Sequence, residues 1–245
     1  MCIRDRFIYL SDEAHLDYLA LWSMLTYVHM VFRYCPYIWV TAEKGSGKTL
    51  LMEVLREIVF NGELLTNPTE AVVFRDVEYN KITMLLDEVE QLQKQDRDTH
   101  GAVMRVLNGG FNKSGKVKRV EKNSKGEQKV VEFSAYGPKI FAGISQIDDV
   151  LRDRTFKIAL WRKRKDEKTE RFKQTSEITK LQRELRDDLY VFGLTSAARI
   201  YECYQKDLIP QGFGHLENRE FCLLYTSEEG ARALKPFLDV AFKRK

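Results

Sequence analysis

The stretch TAEKGSGKTL, residues 41–50, decides the fold. It ends in Gly47-Lys48-Thr49, the tail of a phosphate-binding loop whose full pattern is Gly-x-x-x-x-Gly-Lys-Ser/Thr. Ala42 stands where that pattern asks for its first glycine. Alanine is the smallest residue with a Cβ, and it fits a turn unless φ must be positive. Gly45 and Gly47 remain where the backbone must come closest to phosphate.

A lone Gly-Lys-Thr is weak evidence, and its surroundings strengthen it. Upstream, Tyr37-Ile38-Trp39-Val40-Thr41 is a short β-branched and aromatic run, which reads as a strand. Downstream, residues 49–59 carry Leu50, Leu51, Val54, Leu55 and Ile58 at helical spacing. Strand, loop and helix follow in the order a phosphate loop needs. The glycines let backbone N–H groups turn toward phosphates, and the helix N-terminus adds a favourable dipole. Ala42, Glu43, Lys44, Gly45, Ser46, Gly47, Lys48 and Thr49 are therefore the candidate cradle for ATP. Lys48 is expected to reach the β and γ phosphates, and the Thr49 hydroxyl to sit on Mg²⁺.

Further along, Ile82 to Leu86 is a continuous apolar run that ends in Asp87-Glu88. A strand buried on both faces reads this way. Two acids at its end are costly unless a cation waits there. Asp87 is the candidate for the Mg²⁺ shell, and Glu88 for orienting or deprotonating an attacking water. The plainer alternative is a surface helix start, where the dipole favours acids.

A third apolar run, residues 139–144, ends at Ser145, a candidate contact to the γ-phosphate or the water; a helix cap is its plainer role. Arg152 and Arg154 precede a last strand, residues 155–161. In ring ATPases an arginine placed here enters a neighbour's site and stabilises transition-state charge. The alternative is solvation, or local pairing with Asp148, Asp149 or Asp153.

Between the acidic strand and the third run lies a basic segment. From Lys113 to Lys129 there are seven Lys or Arg against two acids. Residues 117–120 and 129–133 flank the turn-rich Asn123-Ser124-Lys125-Gly126 and read as a hairpin. Lys113, Lys116, Lys118, Arg119 and Lys122 are candidate contacts to a nucleic-acid backbone. A solvated hairpin with edge lysines that block aggregation is the alternative.

The remaining elements fill in around these. Residues 12–34 read as a buried helix, capped by Ser11 or Asp12 and ended by Pro36. Residues 63–66 read as a short strand, and 69–77 as a helix with Pro68 near its first position. A polar stretch from Gln91 leads into a helix stopped by Asn108-Gly109-Gly110, and Asp148 to Arg152 forms a helical turn. Residues 162–173 are charge-rich with interleaved acids and read as a solvated linker. Residues 176–206 are helical, with Leu181, Leu185, Leu189, Phe192 and Leu194 on or near one face. The expected division is a core over 7–164 and a helical lid or tail over 165–245.

Composition agrees with a folded α/β chain: 245 residues, 44% hydrophobic and 31% charged. The net charge of +4 is too small to argue for nucleic acid by itself. Cys2, Cys35, Cys203 and Cys222 form no C-x-x-C pair, and His15, His29, His100 and His215 are scattered, so neither zinc nor a disulfide framework is expected. The most apolar stretch, residues 19–32, is too short to span a bilayer, and no cleavage pattern follows it, so the expected location is cytoplasmic. MCIRDR at 1–6 and CLLYTS at 222–227 look like translated sequencing-adapter remnants and are set aside.

The runs PYIWVTAEKGSGKTLLMEVL, TMLLDEVEQL, VLNGGFNKSGKVKRV, FSAYGPKIFAGI and LRDRTFKIALWRK together resemble a domain family of P-loop ATPases. Its members occur in phage, plasmid and mobile-element replication proteins, often behind a primase-like module. The resemblance covers residues 12–170 well and the helical tail loosely, including LENRE at 216–220. It implies an ASCE-type, AAA+-like core related to replicative helicases: a parallel five-stranded sheet flanked by helices, with a β-hairpin insertion and a C-terminal helical segment. It matches Lys48 and Thr49 to the phosphate loop, Asp87 and Glu88 to the acidic strand end, and Arg154 to an arginine before the last strand.

The expected function is an ATP- and Mg²⁺-dependent helicase or translocase working on single-stranded DNA as a homo-oligomeric ring. A sensor arginine in the tail has Arg183, Arg186 and Arg219 as candidates. An ATP-dependent loader or switch without unwinding activity is the main alternative. A small-molecule kinase on the same loop is a third, since a fold does not fix a function.

Overall fold

The computed structural model describes residues 10, 13–43, 45–66, 68–89, 97–122, 127–143, 149–162 and 175–206. Lys44, Ser145, the hairpin turn, most of the charged linker, both adapter-like strings and Arg219 lie outside the described residues, as does the side chain of Lys122.

Helix α1 (Glu13–Val28) and a 3-10 turn (His29–Val31) lead into β1 (Tyr37–Ala42), and helix α2 (Lys48–Ile58) follows. Next come β2 (Gly62–Leu65), α3 (Glu70–Glu78), β3 (Thr83–Leu86) and α4 (Arg97–Gly109). The hairpin is β4 (Lys116–Lys122) with β5 (Gln128–Ser134). The chain then forms β6 (Lys139–Gly143), α5 (Asp149–Arg152), β7 (Thr155–Leu160) and the 30-residue α6 (Ser176–Gln205).

Five strands form one sheet in the order β2-β3-β6-β1-β7, every neighbouring pair parallel. The hairpin is a separate antiparallel pair. Because the five strands run the same way, Ala42 and Leu86 lie at one end of the sheet and Tyr37 and Thr155 at the other.

The central strands read as unbroken apolar runs because both faces of the sheet are covered. Their side chains still alternate. Ile38, Val40, Leu85, Ile140 and Ala142 enter one core with α1, α2 and α6. Tyr37, Trp39, Met84, Leu86 and Phe141 enter the other with α3, α4 and the hairpin's Val117 and Phe133. In the first core Trp22 is fully buried, and its indole N–H donates to the Pro36 carbonyl at 3.0 Å. That bond seats α1 against the entry to β1. Truncation of Trp22 to alanine costs about 3–5 kcal/mol by the usual penalty for emptying an aromatic site.

Two local expectations need correction. Pro68 is not the first helical residue; Thr69 is the extended cap of α3, and Pro68 precedes it. On α6, Leu181 and Leu194 face solvent, Leu194 at 84% exposure. The inward stripe is Ile178, Gln182, Leu185, Leu189 and Phe192. These residues recur at helical spacing; Leu194 falls on the opposite side of the helix, whereas Leu181 keeps the spacing but lies at the margin of the stripe, 40% exposed. Gly193 on the same side would bring a Cβ within 3.2 Å of Tyr27, so α6 lies close against α1.

Candidate nucleotide site

The loop of residues 42–49 joins the C-terminal end of β1 to the start of α2. Gly45 and Gly47 have φ of +81° and +91°, a backbone region that costs residues with a Cβ. Ala42 is still part of β1, so alanine at the pattern's first glycine is accommodated. The Ser46 hydroxyl donates to Glu43 O at 2.7 Å, and Ser46 N–H to the same oxygen at 3.2 Å, which closes the turn. Gly47, the cap of α2, offers no side chain, and the first helical bond runs from Leu51 N–H to Gly47 O. The first turn thus keeps backbone N–H groups without a side-chain cap, the arrangement that receives an anion.

Lys48, Thr49 and Asp87 come together although they are far apart in sequence. Lys48 Nζ lies 3.0 Å from Asp87 Oδ1. The Thr49 hydroxyl donates to Asp87 Oδ2 at 3.2 Å. Glu88 N–H donates to Asp87 Oδ1 at 2.8 Å. The Asp87 side chain is only 8% exposed, so these three donors compensate a nearly buried carboxylate. Their meeting follows from topology. β3 is separated from β1 by β6 alone, so the end of β3 stands across a short gap from the start of α2.

Glu88 is exposed and left-handed, with φ of +56°. That conformation costs a non-glycine residue about 1 kcal/mol or more, and such strain gathers at functional sites. A threonine hydroxyl beside a carboxylate supplies the hard oxygen donors that Mg²⁺ takes, with its other positions filled by water and phosphate. The residues present therefore fit Mg²⁺ with a nucleoside triphosphate.

The other predicted residues sit elsewhere. Arg154 lies at the opposite end of the sheet, where its backbone O accepts from Tyr37 N–H at 3.0 Å. The six residues of β1 separate it from the loop by about 17 Å at strand rise. Its Nη1 donates to Asn108 O at 2.7 Å, and its guanidinium lies 5.3 Å from the Phe111 ring centre. Arg152 pairs with Asp149 at 3.0 Å on its own helical turn. Arg186 lies on α6 between Leu185 and Asp187, and Arg183 is exposed.

The hairpin has two unlike faces. Val117 and Phe133 are buried against α3 and α4, and Arg119 lies over the Phe74 ring at 5.6 Å. On the outer face Lys116 and Lys118 reach Glu132 at 3.3 and 3.2 Å. Val120 and Val130 pair across the strands and are both more than half exposed. Lys113 stays near the hairpin base, with Nζ donating to Met30 O at 2.6 Å.

Sequence reasoning missed one residue beside the loop. Arg162, assigned to a solvated linker, stands against Gly45. Its proximity depends on the pairing of β7 with β1, which no local pattern announces.

The strand order, the glycine loop between β1 and α2, and the acidic end of β3 together define a P-loop NTPase fold of the ASCE arrangement, with one strand between the loop strand and the acidic strand. No protein-family model matches the chain, and no curated relative matches it in sequence. Among solved structures, the chain is similar to the apo C-terminal region of NrS-1, with TM-score 0.38 and 17% identity over 94% of this chain and 53% of that one. It is also similar to the SCCmec type IV Cch helicase, with TM-score 0.44 and 12% identity over 92% of this chain and 47% of that one. A third is the JCV helicase, with TM-score 0.36 and 14% identity over 78% of this chain and 61% of that one. The chain thus spans about half the length of the first two structures. Among the described residues, no helix is long and apolar enough to cross a membrane.

Proposed function

We propose that this chain binds ATP with Mg²⁺ at residues 42–49 and hydrolyses it as a DNA-directed motor, a helicase or translocase of a mobile-element replication protein. The observation that supports this most strongly is the convergence of Lys48, Thr49 and Asp87 beside an open helix N-terminus. Lys48 holds the β and γ phosphates, and Thr49 and Asp87 hold Mg²⁺. The metal's chemistry is charge neutralisation on the phosphates. Glu88, at the mouth of the site, orients or deprotonates the attacking water. Ser145 contacts the γ-phosphate or that water.

Arg154 is too far from its own loop to serve it, which supports a role in a neighbour's site and hence a homo-oligomeric ring. The outer face of the hairpin tracks single-stranded DNA through Lys116 and Lys118, and a primase module is a candidate partner. A nucleotide-driven loader or switch is the second reading. It is favoured by the engagement of Lys116 and Lys118 with Glu132 and of Arg119 with Phe74.

ATP turnover measured across protein concentration, with and without single-stranded DNA, tests the proposal. A ring motor gives turnover that rises faster than protein concentration and increases with DNA. Turnover proportional to protein and indifferent to DNA would leave the loader or switch.

A further inference from the structure

Arg162 follows the end of β7 by two residues. β7 pairs with β1 in a register that sets Leu160 beside Ala42. The chain leaving β7 therefore emerges level with the chain entering the phosphate loop. A Cβ placed on Gly45 would stand 3.5 Å from Arg162 Nη2, 3.6 Å from Nε and 3.8 Å from Cζ. The two nitrogens are nearer than the carbon between them, so the Nε–Nη2 edge of the guanidinium is turned toward the loop. That edge carries parallel N–H donors, the fork with which arginine grips carboxylate or phosphate. It lies beside a glycine whose positive φ shapes the loop, two residues before Gly47, the cap of α2, and three before Lys48.

We infer that Arg162 is a nucleotide contact: its guanidinium fork grips the polyphosphate of the bound nucleoside triphosphate in cis, from the β7 side of the loop. This rests on the phosphate-loop reading above and adds a second side-chain cation to Lys48. It also divides two arginines near the ends of β7 between two sites. Arg162, after the strand, serves its own loop, whereas Arg154, before the strand, is turned away from it.

The test is calorimetric titration of ADP and ATP, with and without Mg²⁺, into the full chain and three variants. Arg162→Gln is expected to weaken ATP binding about tenfold, equivalent to about 1.4 kcal/mol, with an unchanged urea midpoint. Arg162→Lys is expected to recover only part of the loss, because an ammonium carries charge without the fork. Lys48→Ala tests the underlying site and is expected to lose binding. Wild-type affinity in Arg162→Gln, with binding lost in Lys48→Ala, would overturn the contact and leave the phosphate loop standing. A weakened affinity matched by a lowered urea midpoint would mark Arg162 as a brace of the loop and also overturn it. Absence of nucleotide binding by the unaltered chain would remove both.

Discussion

Lys48 Nζ stands 3.0 Å from Asp87 Oδ1, and the two side chains are 14% and 8% exposed. An ion pair so little exposed is held by the fold around it: α2 fixes Lys48 one residue past a left-handed glycine, and β3 delivers Asp87 one residue past its end. Removing Lys48 leaves the nearly buried Asp87 carboxylate with only the Thr49 hydroxyl and Glu88 N–H as donors and no opposing charge, and breaking such a pair typically costs several kcal/mol. Lys48→Ala is therefore expected to lose nucleotide binding and also to lower the urea midpoint. Asp87→Asn, which keeps the shape and removes the charge, is expected to retain nucleotide binding while losing its dependence on Mg²⁺. Calorimetry with and without EDTA checks both.

Arg154→Ala is expected to keep nucleotide affinity and lose about 10³-fold in turnover, the lower end of the range for an arginine acting across an interface. The substitution also removes a hydrogen bond to Asn108 O and the stack on Phe111, so a stability loss of about 1 kcal/mol accompanies it. Mixing separates the two effects. Arg154→Ala has an intact loop and Lys48→Ala has an intact Arg154, so mixed oligomers should regain part of the turnover. A mixture no more active than its parts would assign Arg154 a structural role only.

Lys116→Gln together with Lys118→Gln is expected to reduce DNA stimulation of turnover at least fivefold while basal turnover stays near wild type. The salt dependence of DNA binding should fall by about one unit of slope for each phosphate contact removed. Arg119 is left in place because its stack on Phe74 makes any substitution there a packing change as well. An unchanged salt slope would exclude these lysines as phosphate contacts.

Stability should rise with pH over two windows. The His29 ring is buried; its Nδ1 must carry the hydrogen it shares with the Thr26 carbonyl at 2.7 Å, since that oxygen can only accept. Burial, with Lys139 and Lys113 nearby, pushes its pKa down from 6.5 to about 4. The unfolded chain therefore takes up the proton first, and the contribution present above pH 6.5 is lost as pH falls toward 4. Its size is roughly 3 kcal/mol, at about 1.4 kcal/mol for each unit of that difference.

Lys139 is buried at the start of β6. Its Nζ donates to Ala135 O at 2.7 Å and Gly137 O at 2.9 Å, and burial pushes its pKa down from 10.5 to about 7. The same sign applies, so its contribution grows from pH 7 toward 10.5. Urea midpoints across pH should show both slopes. His29→Gln should flatten the lower window and Lys139→Met the upper one.

Much of this organisation is legible in residue order. The run from Ile82 to Leu86 announces a strand covered on both faces, and its terminal acid falls beside Thr49 because only β6 intervenes. The hairpin is legible from its turn residues, and β4 and β5 extend by one or two residues past the expected runs. What escapes is whatever depends on three-dimensional register. Leu194 has the right chemistry for a core and the wrong angular position on α6. The buried Gln182 lies on the inward stripe but is polar. Arg162 lies in a charge-rich segment, and only the pairing of β7 with β1 brings it to Gly45. Likewise, the basic count of the hairpin does not foretell that Lys116 and Lys118 share Glu132.

The most direct measurement is single-turnover ATP hydrolysis by Glu88→Gln beside the unaltered chain, with nucleotide binding measured on the same samples. Glu88 is exposed at the mouth of the site and outside the Lys48–Asp87 pair, so its loss should spare binding. The expected result is unchanged affinity with hydrolysis slowed by at least 10²-fold, the usual contribution of a positioned general base. Hydrolysis at the wild-type rate would contradict the assignment of this site as a hydrolytic centre built on Lys48, Asp87 and Glu88.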